Sequence, residues 1–190
     1  MRELPSFSTS RLVLRPRRPS DVEDCLKMDS DREVRRHLHP NFRDAFDPEE
    51  HRRLLLDRTR TIFGPGLGYW VIERKSEPRV FCGWIELIPL AEEGPEIEIG
   101  WRLPRLCWGQ GLATEAARSI LNHGFMCLRL EQIVAVIDPD NRRSKAVANR
   151  LGFRAAGRKR AYGLDLDLYV LAVGEFTKKV VVSRHDNPRR

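Results

Sequence analysis

No stretch of this 190-residue chain approaches the ~20 consecutive apolar residues that a membrane-spanning helix needs. The opening MRELPSFSTSR has no hydrophobic segment of the kind that directs export, so a cytoplasmic chain is expected. Cysteine is sparse: Cys25, Cys82, Cys107 and Cys127 stand alone, with no CxxC spacing. That spacing argues against a zinc framework, and without an export signal the four read as reduced packing thiols rather than two disulfides. No metal is expected. Internal repeats and low-complexity linkers are absent, which suits one domain. The lysine-bearing phosphate loop GxxxxGK[ST] is missing, and no GxGxxG follows the first strand-like segment. A dinucleotide fold is therefore disfavoured.

What is present is an ordinary globular composition, 41% hydrophobic and 32% charged, with a net charge of +7. The positive balance favours an anionic partner: nucleic acid, a membrane surface or a phosphorylated ligand. Much of it lies in RPRR (Arg15 to Arg18) and between Arg142 and Arg160. Each cluster reads either as a solvated surface or as an anion contact.

Periodicity orders the chain. Arg11 to Pro16 alternates like a strand, and Asp21 caps a helix to about Met28. A short helix over Asp31–Leu38 is stopped by Pro40, and Pro48 opens a third running to about Phe63. Strands follow at Tyr69–Arg74, Val80–Pro89 and Glu96–Leu103. Apolar or small residues at helical spacing from Ala113 to Leu128 mark an amphipathic helix. Gln132–Ile137 is a β-branched strand, Asn141–Leu151 a helix ended by Gly152, and Leu166–Val173 a last strand. Strands in a meander, then strand, turn, helix, strand, helix, strand, imply an α/β fold with a mixed sheet. The domain is placed at residues 1–176. Residues 177–190 are read as a polar tail whose end is expected to be disordered.

The most specific stretch is CWGQGLATEAARSILNHGF, Cys107 to Phe125. Gly109 and Gly111 sit in a turn between a strand end and a helix start. Unpaired N–H groups and the positive end of the helix dipole make such a start an anion site. Taken alone, the turn could equally be only a tight connection. The longer segment EIGWRLPRLCWGQGLATEAARSILNHGF, with SFSTSRLVLRPRRPSDVEDCLKM before it and NRRSKAVANRLGFR after it, resembles the GNAT superfamily of N-acetyltransferases. It looks most like the branch holding the ribosomal-protein N-terminal (Rim-type) acetyltransferases. The resemblance implies a centrally splayed β-sheet flanked by helices, with acetyl-CoA as cosubstrate and its pyrophosphate in the glycine turn. The superfamily pattern [RQ]xxGx[GA] falls on Trp108, Gly111 and Ala113. Trp108 departs from Arg or Gln, but WGxGxATEA is a familiar form in this branch.

The same resemblance implies cofactor contacts from Trp108 through Gly109, Gln110, Gly111, Leu112 and Ala113 to Thr114. It adds Trp101 and Leu103 at the strand end, and Asn141, Arg143 and Ser144 late in the chain. Acetyl transfer needs a base near the carbonyl and a donor for the departing sulfur. EIEIGW offers Glu96 and Glu98 on one strand face; resemblance to the branch favours Glu98 as base, through water. The tyrosine that many relatives carry seven residues beyond the late asparagine falls here on Ala148, so Ser144 of NxxS is the expected donor. Asn141 caps the helix, holds cofactor, or both. Backbone N–H groups near Ile99 to Trp101 are candidates for the oxyanion. His37 and His39, with Trp70 and Trp84 as pocket walls, are placed at the substrate.

The resulting expectation is an N-acetyltransferase acting by direct attack in a ternary complex, as a monomer or homodimer. No recognisable nucleic-acid motif supports that partner. An α-amine of pKa about 7.8 is roughly 400 times more neutral at pH 7 than lysine at about 10.4, which leans the acceptor toward a protein or peptide N-terminus. A small amine or antibiotic as acceptor, or a non-catalytic acyl-CoA sensor, are the alternatives.

Overall fold

The computed structural model describes residues 4–177; the tail expected to be disordered falls, from residue 178 on, outside the described residues. Among the described residues, eight strands form one sheet. They are β1 (Phe7–Ser8), β2 (Leu12–Pro16), β3 (Gly68–Arg74), β4 (Val80–Pro89), β5 (Ile97–Arg102), β6 (Gln132–Ile137), β7 (Arg154–Ala161) and β8 (Leu164–Ala172). Their order is β1-β2-β3-β4-β5-β6-β8-β7. Every neighbouring pair is antiparallel except β5 and β6, which run parallel and match at a single pair, Glu98 opposite Val134. The sheet therefore parts on one side of Glu98, leaving backbone groups of both strands without ladder partners. This is the mixed, centrally splayed sheet that the sequence leads one to expect.

Helices cover both faces. On one side lie α1 (Val22–Asp29), α2 (Arg32–Arg35), α3 (Pro40–Asp44) and α4 (Pro48–Arg60); on the other lie α5 (Leu112–Asn122) and α6 (Arg142–Leu151). The period of two sorts the strand residues between the layers. Trp70, Ile72, Ile85 and Leu87 pack with the α5 core, whereas Tyr69, Trp84 and Ile88 pack with α1 and α4.

Three elements depart from expectation. Pro40 opens α3 instead of only stopping its predecessor: His39 Nδ1 accepts from the Asn41 N–H at 3.2 Å, and a proline is well placed in a first turn. The amphipathic helix ends at Asn122 and passes into a wider turn over His123–Cys127. There Gly124 approaches β6 so closely that an added Cβ would lie 2.7 Å from Ile133 Cδ1. β7 was not anticipated, because RAAGRKRA is exposed over most of its length and has no apolar alternation.

The start of α5 is tied to the first hairpin by one carboxylate. Glu115 accepts from Thr9 Oγ1 at 2.5 Å, Arg11 N–H at 3.0 Å and Arg11 Nε at 2.7 Å. Burial opposes its ionisation, but these hydrogen bonds outweigh it and hold its pKa down to about 2. A carboxylate depressed in the fold stabilises it above the unfolded pKa of ~4.3 and loses that contribution as pH falls toward the folded value. Glu115→Gln should therefore melt about 2–6 °C lower than wild type at pH 7. Differential scanning calorimetry should show the gap narrowing between pH ~5 and ~2.5. A gap that stays constant over that range would mean that the charge contributes nothing.

Candidate active site

Where β5 and β6 part, a cavity of about 340 Å³ opens between the α1–α4 layer, the end of β6, the start of α6 and the β7–β8 hairpin. Its floor is one face of β4 and β5. Residues alternate, so Trp84 and Glu86 of β4 share that face with Glu98, Gly100 and Arg102 of β5. Glu86 is directly opposite Gly100 in the ladder. A Cβ at position 100 would collide with the Glu86 carboxylate, so the glycine is what allows that side chain to lie across β5 toward Glu98.

The two carboxyls are buried together. Glu98 is 4% exposed and Glu86 8%. Burial pushes both upward from the ordinary carboxylate range, and repulsion from Glu86 raises Glu98 further. The two carboxyls are close enough to titrate as a coupled pair. Glu98 Oε2 is buried with no partner. Against its carboxyl lies the hydroxyl of Tyr162, from the turn between β7 and β8. That hydroxyl also accepts from the Ala91 N–H at 3.3 Å. Burial followed by the two carboxylates raises the phenol, so it stays protonated.

A second buried cluster holds the outer end. Asp29 is fully buried and accepts from His51 Nε2 at 2.7 Å and Arg102 Nη1 at 2.9 Å. Burial works against its charge, but Arg102 and His51 outweigh it and leave its pKa lowered. Arg102 is thereby fixed over Trp84, 4.8 Å from the ring centroid. The roof is the segment between α2 and α3. His37 Nδ1 lies 3.0 Å from Asp138 Oδ1 beyond the end of β6, and His39 packs beside Gly163 of the β7–β8 turn.

The sequence-derived candidates divide clearly. Glu98, Ser144, Asn141, Trp101, Trp84, His37 and His39 all line this cavity. Asn141 Oδ1 accepts from the Ser144 N–H at 3.0 Å, so the capping role is realised. Trp70 is a correction. It lies on the opposite face of the sheet, fully buried, with its Nε1 donating to the Pro5 carbonyl at 2.7 Å. Glu96 precedes β5, pairs with Lys159 and does not line the cavity. Ala148, where a tyrosine was sought, is core. Sequence reasoning missed Glu86, Arg102 and Tyr162. Arg102 could have been found from the period-two face it shares with Glu98; Glu86 needs the pairing of β4 with β5, and nothing local marks Tyr162.

The glycine turn lies beside the cavity, at the head of α5. Gly109 and Gly111 have φ of +73° and +75°, and an added Cβ at Gly109 meets nothing within 4 Å. One face of this loop is therefore bare backbone over open space, followed by the free N–H groups of a helix start. Thr114 Oγ1 is buried there without a partner. Leu103 and Leu112 are buried, so their side chains belong to the core and only their backbone is available to a ligand. Trp108 Nε1 donates to the Leu103 carbonyl at 2.7 Å, and Arg143 stacks on its ring at 4.4 Å. Gln110 bridges the loop: Nε2 donates to the Leu106 carbonyl and Oε1 accepts from Arg74. An anion-binding backbone, an orphan hydroxyl and a stacked arginine fit a pyrophosphate-bearing cosubstrate.

Residues 11–154 match the acetyltransferase (GNAT) domain family. An uncharacterized N-acetyltransferase of Bacillus licheniformis is 27% identical over 175 residues, covering 90% of this chain and 96% of that protein. The crystal structure of an acetyltransferase from Agrobacterium tumefaciens has a TM-score of 0.73 at 26% identity, covering 90% of this chain and 96% of its own. A spermidine N-acetyltransferase from Vibrio cholerae, solved with CoA and spermine, shares the fold with a TM-score of 0.70 at 17% identity, covering 89% and 99% of the two chains.

Two glycine substitutions should separate the loop from the carboxyl pair. Gly111→Val puts a β-branched residue at positive φ and should weaken coenzyme A binding at least tenfold by calorimetry. Gly100→Ala should leave that affinity within about twofold while lowering kcat at least tenfold, because Glu86 is displaced. Equal kcat in Gly100→Ala would remove the carboxyl pair from the chemistry.

Proposed function

Because the chain belongs to the GNAT acetyltransferase family and takes its acetyl group from acetyl-CoA, we propose that it acetylates a primary amine by direct attack, with Glu98 as general base and Ser144 as donor to the departing sulfur. The observation that carries this reading is the buried Glu98 carboxyl, beside Glu86, lining the same cavity as Ser144 at the parting of the sheet.

Acetyl-CoA supplies the acetyl group as a thioester. The amine nitrogen attacks the carbonyl carbon, a C–N bond forms, the C–S bond breaks, and sulfur leaves with the bonding pair. In its ionised form Glu98 takes the proton that the nitrogen sheds, through water. Its raised pKa brings it closer to an ammonium's, which is what a base at neutral pH requires. Burial and the neighbouring Glu86 keep that pKa raised, and the Tyr162 hydroxyl orients the Glu98 carboxyl. Backbone N–H groups of β5 beyond Glu98, unpaired because β6 has diverged, support the developing oxyanion. Ser144 lends its hydroxyl hydrogen to the negative sulfur; a thiol pKa of ~8.5 makes full proton transfer unnecessary. Among the described residues no cysteine lines the cavity, which supports transfer without an acetylated enzyme.

For the acceptor we favour the α-amine of a protein or peptide N-terminus. It is closer to neutral than a lysine at pH 7, and a single carboxylate base suits it. The Rim-type resemblance supports the same choice. So does a Bacillus subtilis protein named as a putative ribosomal N-acetyltransferase, 32% identical over 79 residues, or 42% of this chain. A small polyamine is the second reading, favoured by the carboxylates that line the cavity, Glu86, Glu98 and Asp138. Among the described residues no helix is long and apolar enough to cross a membrane. We place the enzyme in the cytoplasm, where acetyl-CoA is available to it.

Glu98→Gln should lower the rate by ~10²-fold and flatten the acidic limb of the pH–rate profile. The sign of its stability effect is opposite. A carboxyl raised in the fold stabilises it below the unfolded pKa and loses that contribution as pH rises through the folded value. The variant should thus melt higher than wild type at pH 8, with the difference vanishing in acid. A lower melting temperature at pH 8 would contradict the buried-carboxyl reading. Ser144→Ala should cost about ten- to hundredfold in kcat, from a charge-assisted hydrogen bond of roughly 1.5–3 kcal/mol, with coenzyme A affinity nearly unchanged. An assay of free and N-blocked peptides against spermidine decides the acceptor. Faster transfer to spermidine than to every free N-terminus would overturn the peptide reading.

A further inference from the structure

A second cavity, of about 380 Å³, lies where the C-terminal turn of α4 and the 61–67 loop meet the start of β3. Most of its wall is apolar or backbone, including Leu4, Pro65, Leu67 and the ring of Tyr69. Two arginines, Arg17 and Arg58, also line it.

Arg17 is the anomaly. Only 7% of it is exposed. Its guanidinium stacks on Tyr69 at 4.0 Å, and Nε donates to Thr59 Oγ1 at 2.8 Å. Nη2 is buried with no partner. Among the described residues no carboxylate lies within ion-pair distance of it. Glu86 acts on it only from beyond ion-pair distance, so a guanidinium buried this way still lacks a directly bonded anion. Burial depresses its pKa, as expected for a guanidinium left unpaired. Its neighbours in RPRR are unlike it. Arg15 is paired with Asp21 and Glu73, both at 2.7 Å, so the feature is particular to position 17.

Arg58 sets the charge of the missing partner. It is already paired with Glu92 at 2.7 Å, yet its Nε is buried and unpartnered. Together Arg17, Arg58 and Glu92 leave one positive charge with no direct ion pair, felt only at longer range by Glu86, and two orphan donor nitrogens. That matches a carboxylate, a monoanion with two oxygens, better than a phosphate dianion.

We propose that this cavity is a binding site for a small monocarboxylic acid, its carboxylate on Arg17 and Arg58 and its compact apolar body against Leu4, Pro65, Leu67 and Tyr69. The site is distinct from the acceptor cavity but shares Arg58 and Tyr69 with it as a common wall. The proposal stands without the assignment of Glu98 or of the acceptor.

Phenylacetate and 2-phenylethanol test it by calorimetry on the whole protein without acetyl-CoA or amine. The two probes share a ring and chain length and differ in charge. Phenylacetate should bind at one site, at least tenfold tighter than 2-phenylethanol, and Arg17→Met should weaken it at least tenfold while leaving the alcohol unchanged. Should Arg17→Met fail to fold, Arg17→Gln, which keeps a donor toward Thr59 without the charge, must show the same loss. No heat from phenylacetate, equal binding of the alcohol, or undiminished binding by the folded variant would each overturn the proposal. Binding lost in His37→Ala but kept in Arg17→Met would place the acid in the acceptor cavity instead and would also overturn it.

Discussion

Two carboxyls buried side by side in one pocket are the constraint on which the rest of this structure depends. Glu86 and Glu98 come from adjacent antiparallel strands and sit on the same face. Left in water they would repel weakly; buried together, each is harder to ionise, and Glu86 raises Glu98 further. Much of the surrounding architecture holds them there. Gly100 removes the side chain that would separate them. The departure of β6 from β5 at Glu98 opens the space above them. The α1–α4 layer, the segment bearing His37 and His39, and Tyr162 from the β7–β8 turn close that space from three sides. The pair is held at a cost in stability, as is common where a site needs a strained or high-energy group.

The two ends of the site use different physics. The cosubstrate end is backbone: left-handed glycines and a helix start, locked to the first hairpin through Glu115. The acceptor end is side chain: a carboxyl pair, a fixed Arg102 and aromatic walls. This difference explains the charge distribution. A net charge of +7 suggested a basic exterior, yet several arginines work inside. Arg15 joins β2 to β3 through Glu73, Arg17 stacks on Tyr69, and Arg102 braces the pocket through Asp29. Within the later cluster, Lys145 pairs with Asp167 and Arg158 with Asp165. Several arginines and lysines of these clusters are therefore engaged with carboxylates or rings, while the net excess of +7 stays on the chain.

What was legible in the chain follows from range. β4 and β6 could be placed to the residue because their apolar runs end at proline or at turn residues. Asn141 and Gly152 announced the ends of α6 through local backbone chemistry. Glu98 and Ser144 were reachable because each sits in a short motif. Glu86 was not, since its meaning arises only from its position opposite Gly100, fourteen residues on. Tyr162 comes from a hairpin whose first strand has no apolar face to reveal it. Trp70 was misplaced for a related reason: strand membership was clear, but which face meets the cavity depends on register with β4. Motif and period identify elements and their ends; faces that meet across the sheet need the pairing.

The most direct measurement is the protonation state of the carboxyl pair itself. Infrared difference spectra of the wild type, recorded across a pH titration, report protonated carboxyl groups separately from carboxylates. The expected result is one protonated carboxyl persisting at pH 7, absent from the double variant Glu86→Gln/Glu98→Gln. A wild-type spectrum at pH 7 with no protonated carboxyl, or one unchanged in the double variant, would contradict the raised carboxyl pair at the centre of this site.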